Sequence, residues 1–361
     1  MNHPLVIEKE ELSLLRLKLG VEQNRLYQLL ESDARTAFGQ RGMIEHRFVL
    51  QGHPFSMRFA GTFLVNTMSR ALAHLKADAT KKEPELTIDC WGSADTGLSF
   101  PQPDWPAKYF SGRGDIMGLD SPQMRIGFFG WLKLLNAYFP EKRRAFYCLE
   151  HENPFSLQQM GSPALTIFNW WGETLGFQLV HAAAVGTERG AVLIVGHGGA
   201  GKSTLAFSTL GSELRYISDD YTLLSGPPGK ALALFSTGKL TESSLSLLPH
   251  LREQSANRDD AGREKALFYL AEQFPGELLP EAPLRAVVLS HLSEGRTFLE
   301  EVDAHEAHAT IVESTLQQLA GTNYRSFIQI RRLLHELPVY HLHHGGDRSA
   351  VHRLLLQLCE S

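Results

Sequence analysis

The chain has 361 residues, 43% of them apolar and 21% charged, with 31 glycines and 17 prolines, enough for one large core or two moderate ones. A formal net charge of −5 argues against a general nucleic-acid binder, and three dispersed cysteines (Cys90, Cys148, Cys359) argue against a disulfide framework or a structural zinc site. No apolar run approaches the ~18 residues of a membrane span, and no basic start precedes an apolar stretch, so no membrane anchor, no signal peptide and a cytoplasmic location are expected.

Leu12, Leu15, Leu19, Leu26, Leu29 and Leu30 recur at near-helical spacing in residues 1–40, with Gly20 as a break. The pattern predicts a helix pair that docks on its own domain or on a partner. Residues 45–51 and 54–60 read as strands around a Gly-His-Pro turn, and 62–76 as a helix. Residues 86–91 and 144–150 read as strands, with a turn-rich segment at 92–114 between them. Residues 1–155 thus form an α+β region with no catalytic signature, a recognition or partner module.

Residues 162–177 predict a helix with Ser162 as N-cap, Pro163 at its first position and the stripe Phe168, Trp171, Leu175 facing a sheet. Strands are expected at 179–185, 191–195, 216–218, 221–224, 232–235, 285–289 and 339–342. Helices are expected at 203–210, 305–319, 326–336 and 348–358, and 253–264 is the most loop-like polar stretch. The alternation makes residues 156–361 an α/β domain.

Within it, Gly196-His197-Gly198-Gly199-Ala200-Gly201-Lys202-Ser203 satisfies the phosphate-loop pattern in full, with an apolar strand before it and a helix after it. Glycines let backbone N–H groups approach phosphate oxygens, and the helix start turns its free donors toward an anion. Lys202 adds charge at the outer phosphates, the Ser203 hydroxyl suits Mg²⁺, and Thr204 follows in the first turn. The run Gly226-Pro227-Pro228-Gly229-Lys230 lacks the following Ser or Thr and reads as a turn. His305 and His308 lack the spacing of a zinc-protease motif. His341 and His343 share a strand face with His344 beside them, but no cysteine or carboxylate companion is evident nearby in the sequence.

Asp219 and Asp220 end a short strand downstream, where ligands of α/β sheets gather. One carboxylate can hold Mg²⁺ and the other can accept a proton from an attacking hydroxyl. His181 lies in the strand before the loop strand, placed for phosphate contact or proton transfer. Lys239, Arg258, Arg263 and Lys265 are the downstream cations, of which at least one is expected to reach the γ-phosphate or the acceptor.

The run His181-Ala182-Ala183-Ala184-Val185, the loop with Lys202, and Ile217-Ser218-Asp219-Asp220-Tyr221 together resemble the catalytic domain of HPr serine kinase/phosphorylase, a relative of phosphoenolpyruvate carboxykinase. The likeness is greater still to shorter HPr-kinase-like proteins encoded beside peptide-maturation enzymes, among them kinases of lasso-peptide precursors; the later run Leu337-Pro338-Val339-Tyr340-His341-Leu342 with Gly345-Gly346-Asp347 shares it. It extends over roughly residues 165–361 and is specific over 181–221. It implies a P-loop kinase domain with a mixed sheet. ATP and Mg²⁺ would be held by Gly196, Gly198, Gly199, Ala200, Gly201, Lys202, Ser203 and Thr204, with Asp219 as general base, Asp220 with Ser203 on the metal side, and His181 as an active-site partner. Thr204 stands where that family usually has glutamate, the signature supporting phosphorylase activity is not recognisable, and the N-terminal region differs. HPr itself is therefore not the expected acceptor.

The expected activity is transfer of the γ-phosphate of ATP to a hydroxyl, foremost a Ser or Thr of a peptide or small protein, with a maturation enzyme as a further partner. Two alternatives stay open: a nucleotide-binding scaffold without catalysis, and a kinase of a small-molecule hydroxyl. Self-association through the leucine-rich N-terminal helices is a further expectation, whereas the choice between ATP and GTP is not legible.

Overall fold

The computed structural model describes residues 9–77, 80–101, 110–116, 121–150, 156–226, 229–258, 264–322 and 324–361, with side chains from residue 23 onward except Gln158. The chain is a mixed α/β protein that divides into two units, Met1–Asn66 with Ala77–Pro154, and Thr67–Lys76 with Phe155–Ser361. Among the described residues no helix is long and apolar enough to cross a membrane.

The first unit contains α1 (Lys9–Arg41), β1 (Met43–Leu50) and β2 (His53–Ala60), then α2 (Phe63–Met68), whose last turn passes into the second unit. It continues with β3 (Leu86–Gly92), α3 (Ser93–Thr96), β4 (Arg125–Phe129), β5 (Leu134–Phe139) and β6 (Arg144–Leu149). The strands form one sheet in the order β1-β2-β3-β6-β5-β4, parallel at β2–β3 and β3–β6. The β1–β2 hairpin turns at Gln51 and Gly52, both at positive φ, so the reversal precedes His53 and Pro54 instead of using them.

Gly20 does not break α1, which runs as one helix of 33 residues instead of the expected pair. A single helical glycine costs only about 1 kcal/mol against alanine. Leu30, Ala34 and Ala37 from the same helix join Trp91, Phe139 and Phe146 in the core, so α1 docks on its own unit. Leu12, Leu15 and Leu19 have side chains outside the described residues. In the sheet, the fully buried Asp89 accepts from Arg58 Nε at 2.6 Å and from Nη2 at 2.9 Å, and Arg144 on β6 donates to the same Oδ2 as that Nη2.

The second unit begins with the segment Thr67–Lys76, which was expected to continue one helix over 62–76. α2 ends at Met68 and a 3₁₀ turn follows at Arg70–Leu75. Ala71 O accepts from Ser236 N at 2.8 Å and His74 Nε2 donates to Ala233 O at 2.8 Å, which fixes this segment to the later chain.

Its other elements are α4 (Leu157–Gly161), α5 (Leu165–Thr174), β7 (Gln178–Val180), β8 (Ala183–Thr187), β9 (Gly190–Val195), α6 (Lys202–Ser208), β10 (Arg215–Ser218), β11 (Thr222–Ser225), β12 (Lys230–Leu232) and β13 (Thr237–Leu240). There follow α7 (Glu242–Leu247), β14 (Ala266–Tyr269), α8 (Leu270–Gln273), β15 (Glu281–Leu292), β16 (Phe298–Glu301), α9 (Ala304–Gln318), α10 (Tyr324–Leu334), β17 (Val339–His344) and α11 (Arg348–Glu360). Nine strands form a mixed sheet ordered β10-β8-β9-β15-β12-β11-β7, with β17 also on β15 and β16 on β17; β13 and β14 pair separately.

β9 and β15 are parallel with Val195 opposite Leu289. Every residue of β9 is buried, as a parallel strand covered on both faces requires. Val192 and Ile194 pack with Phe207 of α6 and Leu355 of α11; Ala191, Leu193 and Val195 pack with Ile311 of α9 and Ile330 of α10. The sheet is therefore sandwiched between two helical layers.

α5 starts at Leu165 after Ala164, which sits at φ 52°, and Ser162 does not cap it. Phe168 and Trp171 are buried as expected, whereas Leu175 lies beyond the helix end. Residues 179–185 are not one strand: the chain bends at His181 and Ala182, so that β7 pairs with β11 and β8 pairs with β9 and β10. A continuous apolar run carries no local mark of such a bend. Residues 233–235 leave β12, since Ala233 N donates to Pro280 O and Ser236 N to Ala71 O instead of to a sheet neighbour.

The Asp89 cluster yields a stability prediction. Asp89→Ala leaves two guanidinium groups facing each other beside a buried site, and the variant should lose about 3–5 kcal/mol. Urea denaturation followed by circular dichroism measures it. Replacing Arg58, Asp89 and Arg144 together with apolar residues should recover most of the loss; equal midpoints for wild type and Asp89→Ala would contradict this account.

Candidate active site

β9 delivers the chain to the carboxyl end of the sheet, where it must reverse into α6. Gly196 takes φ 149°, and a Cβ there would lie 2.9 Å from the Cβ of Ala200. Gly201 takes φ 84° and stands just before α6, and its carbonyl accepts the first helical bond, from Leu205 N at 2.9 Å. Ala200 N donates to His197 O at 3.2 Å and closes the loop on itself. Ser290 on β15 donates to Ala200 O and contacts His344 Nε2 at 2.9 Å, bracing the loop from behind.

The N–H groups of Lys202, Ser203 and Thr204 belong to the first turn of α6 and lack intrahelical acceptors by construction. Lys202 is itself buried, donating from Nζ to Gly196 O at 2.8 Å and to His197 O at 3.2 Å. Two of its three ammonium donors thus stitch the loop. Burial lowers the Lys202 pKa, partly offset by the charges of Asp219 and Asp220.

Asp219 follows β10 in a bend that places Asp220 at φ 60°, a left-handed conformation costly for most residues and tolerated best by Asn and Asp. Adjacent carboxylates consequently point to different partners. Ser203 Oγ donates to Asp219 Oδ1 at 2.9 Å, and Lys239 N donates to Asp219 Oδ2 at 3.3 Å. Asp220 instead forms an ion pair with Lys239 Nζ at 2.7 Å, both side chains being largely covered. Burial raises Asp219 to about 6, and the charge of Asp220 adds to the rise. Burial also works against the charge on Asp220, but Lys239 and then Lys265 hold it below the ordinary carboxylate range.

His181 occupies the bend between β7 and β8, not the interior of a strand. Its backbone N–H donates to Thr315 Oγ1 at 3.0 Å, and its ring lies 3.0 Å from Gln318 Nε2, both on α9. Tyr221 Oη donates to Gln318 Oε1 at 3.2 Å. Burial first, and then the charge of Lys202, lower His181 to about 4, so it is neutral near pH 7 and suited to hydrogen bonding more than to charge compensation.

Most of these groups line one cavity of about 720 Å³, whereas Asp219 sits behind its wall, bonded to Ser203. Its wall includes the loop from Gly198 to Thr204, together with His181, Asp220, Tyr221, Lys239, Lys265 and Gln318. Among the expected cations, Lys239 and Lys265 face the cavity, Arg258 pairs with Glu253 at 3.4 Å, and Arg263 lies outside the described residues. Arg348, at the start of α11, also lines it. The pairing of Ser203 with Asp219, not with Asp220, departs from the expected grouping. Gln318 and Arg348 carry no motif; a cation just after Gly345-Gly346-Asp347 was the one available hint for Arg348.

The donor set fits a phosphate-bearing ligand and a hard cation. Ser203 and Asp219 offer adjacent hydroxyl and carboxylate oxygens of the kind Mg²⁺ selects. The loop donors and Lys202 offer an anion cradle, and Asp220 lines the same cavity beside two lysines. No family model matches the chain, and no curated protein matches it either.

The buried Asp219 gives a pH-dependent prediction. Its folded pKa lies above its ordinary value, so the folded state holds the extra proton between about pH 4 and 6. Stability falls as pH rises through that window and stays lowered above it. Asp219→Asn should therefore melt a few degrees higher than wild type at pH 7.5, a gain of at most about 3 kcal/mol, and the gain should be smaller at pH 4.5. A lower melting temperature for the variant at pH 7.5 would refute this assignment of cost.

Proposed function

We propose that the chain is an ATP-dependent phosphotransferase that phosphorylates a hydroxyl, foremost a Ser or Thr of a peptide or small protein. The observation that carries this reading is the separation of the two carboxylates within one phosphate-loop site: Asp219 on Ser203, Asp220 on Lys239. A pure nucleotide binder has little use for a second carboxylate held ionised on the cavity wall. The HPr-kinase resemblance of residues 181–221 supports the same chemistry.

In this reading the loop N–H groups and Lys202 hold the β- and γ-phosphates. Ser203, with Asp219 behind it, would hold Mg²⁺, which when bound offsets phosphate charge and orients the γ-phosphoryl group. The acceptor hydroxyl oxygen attacks the γ-phosphorus, the bond to the β–γ bridging oxygen breaks, and that electron pair leaves with ADP. Asp220 takes the hydroxyl proton. Lys239 keeps Asp220 ionised, and Lys239 with Lys265 offsets the charge gathering on the transferring group. Neutral His181, held toward the cavity by Gln318, positions the acceptor. These roles for the two aspartates are the reverse of those implied by the family resemblance, because the side chain bonded to Ser203 is that of Asp219.

The test uses γ-³²P-ATP with Mg²⁺ and three acceptors: a degenerate Ser/Thr peptide library, free serine and a sugar acid. Label should enter the peptides. Asp220→Asn should bind Mg·ATP as wild type does and lose at least about 100-fold in transfer. Asp219→Asn should weaken nucleotide binding with Mg²⁺ far more than with EDTA. Intact Mg·ATP binding with lost transfer in Asp219→Asn, together with weakened Mg·ATP binding in Asp220→Asn, would restore the opposite assignment. Tight ATP binding with no labelled acceptor at all would favour the scaffold reading.

A further inference from the structure

β15, β17 and β16 present a group of side chains that the phosphate cavity does not use. The strand register sets His291 beside His343 and Glu300 beside His341. His341 and His343 are two residues apart on one strand, so they project from one face, and laterally paired residues share that face. His343 Nε2 lies 3.0 Å from Glu300 Oε2, and His341 Nε2 lies 2.8 Å from Glu306 Oε1 at the start of α9. The ring of His291 lies parallel to that of His341 at 6.0 Å and edge-on to that of His343 at 5.0 Å. Phe298 stacks on His343 at 4.4 Å and fixes its ring plane. The carboxylate companions absent from the nearby sequence are thus supplied by β16 and α9.

We propose that this patch binds one divalent transition ion of the zinc class, with His341, His343 and Glu300 as ligands. One ligand atom from each already lies within 4.8 Å of the others. A tetrahedral zinc set places its ligand atoms about 3.3 Å apart, so closure needs only a modest contraction. The two imidazoles are 22% and 16% exposed and held by their strand, whereas Glu300, already on His343, is 57% exposed. Two imidazoles and a carboxylate select zinc over the oxygen-seeking Mg²⁺ and Ca²⁺. The fourth position falls to water or to His291. With His341 ligating through Nδ1, Glu306 on its Nε2 is the outer carboxylate that orients a ligating imidazole.

The site adjoins the phosphate loop without sharing residues with it. Ser290 precedes His291, and His344 follows His343; their mutual bond and the bond from Ser290 to Ala200 brace the loop. An ion across β17 and β16 therefore ties down the strands that support that brace.

Tag-free chain, freed of metal with EDTA, is titrated with ZnCl₂ by calorimetry beside Glu300→Gln and the double variant His341→Gln/His343→Gln. Wild type should bind one zinc per chain with a micromolar or tighter dissociation constant. Glu300→Gln should weaken binding by at least about 10-fold, and the double variant should abolish it while keeping its circular dichroism spectrum. Cobalt(II) should give the intense visible bands of a four-coordinate site in wild type and none in the double variant. Since the chain has 16 histidines, equal zinc affinity in the double variant would place binding elsewhere and overturn the proposal. Dissociation constants in the millimolar range for wild type would overturn it too.

Discussion

Parallel pairing of β9 with β15 sets the position of the glycine-rich loop, around which the other cavity groups gather. Both faces of β9 are buried under helices, so the strand can end only at the edge of the sheet, and α6 must fold back over it. The reversal is tight enough that Gly196 and Gly201 adopt backbone angles unsuited to larger residues. Ser290, on β15, holds the turn by its Ala200 carbonyl. The loop donors, the Lys202 ammonium and the Ser203 hydroxyl then face one space because the two strands are in register.

Charge within that space is divided by hydrogen bonding. Asp219 and Asp220 are neighbours in sequence, but the left-handed turn at Asp220 sends their carboxylates to separate partners. One is buried and costly to ionise; the other is kept ionised by a lysine from β13. The arrangement sacrifices some stability to hold two carboxylates close together, as sites that handle charge commonly do. His181, with its pKa lowered by burial, adds a polar surface without adding charge.

Legibility in the sequence followed the distance between interacting residues. The loop at 196–203 and the pair at 219–220 are contiguous, so their pattern is visible in the sequence without the fold. Lys239 and Lys265 were readable as candidate cations, but only the pairing of β13 with β14 and their place at the cavity separates them from Arg258. Gln318 holds His181 from a helix more than a hundred positions away and bears no local sign of that role. The same holds for Glu300 and Glu306, whose relation to His341 and His343 exists only through the register of β16 on β17 and the start of α9.

By itself the sequence determined an α/β protein with a glycine-rich loop of phosphate-loop pattern, an acidic pair and a histidine placed before them. Steric demand on glycine and the short reach of a strand–loop–helix unit write those features locally. Tertiary structure alone decided which aspartate meets Ser203, which one meets Lys239, and where the run at 179–185 bends to place His181 on the cavity wall. Those outcomes depend on hydrogen-bond partners brought in by non-adjacent strands and helices, and no local periodicity encodes a partner that lies elsewhere in the chain.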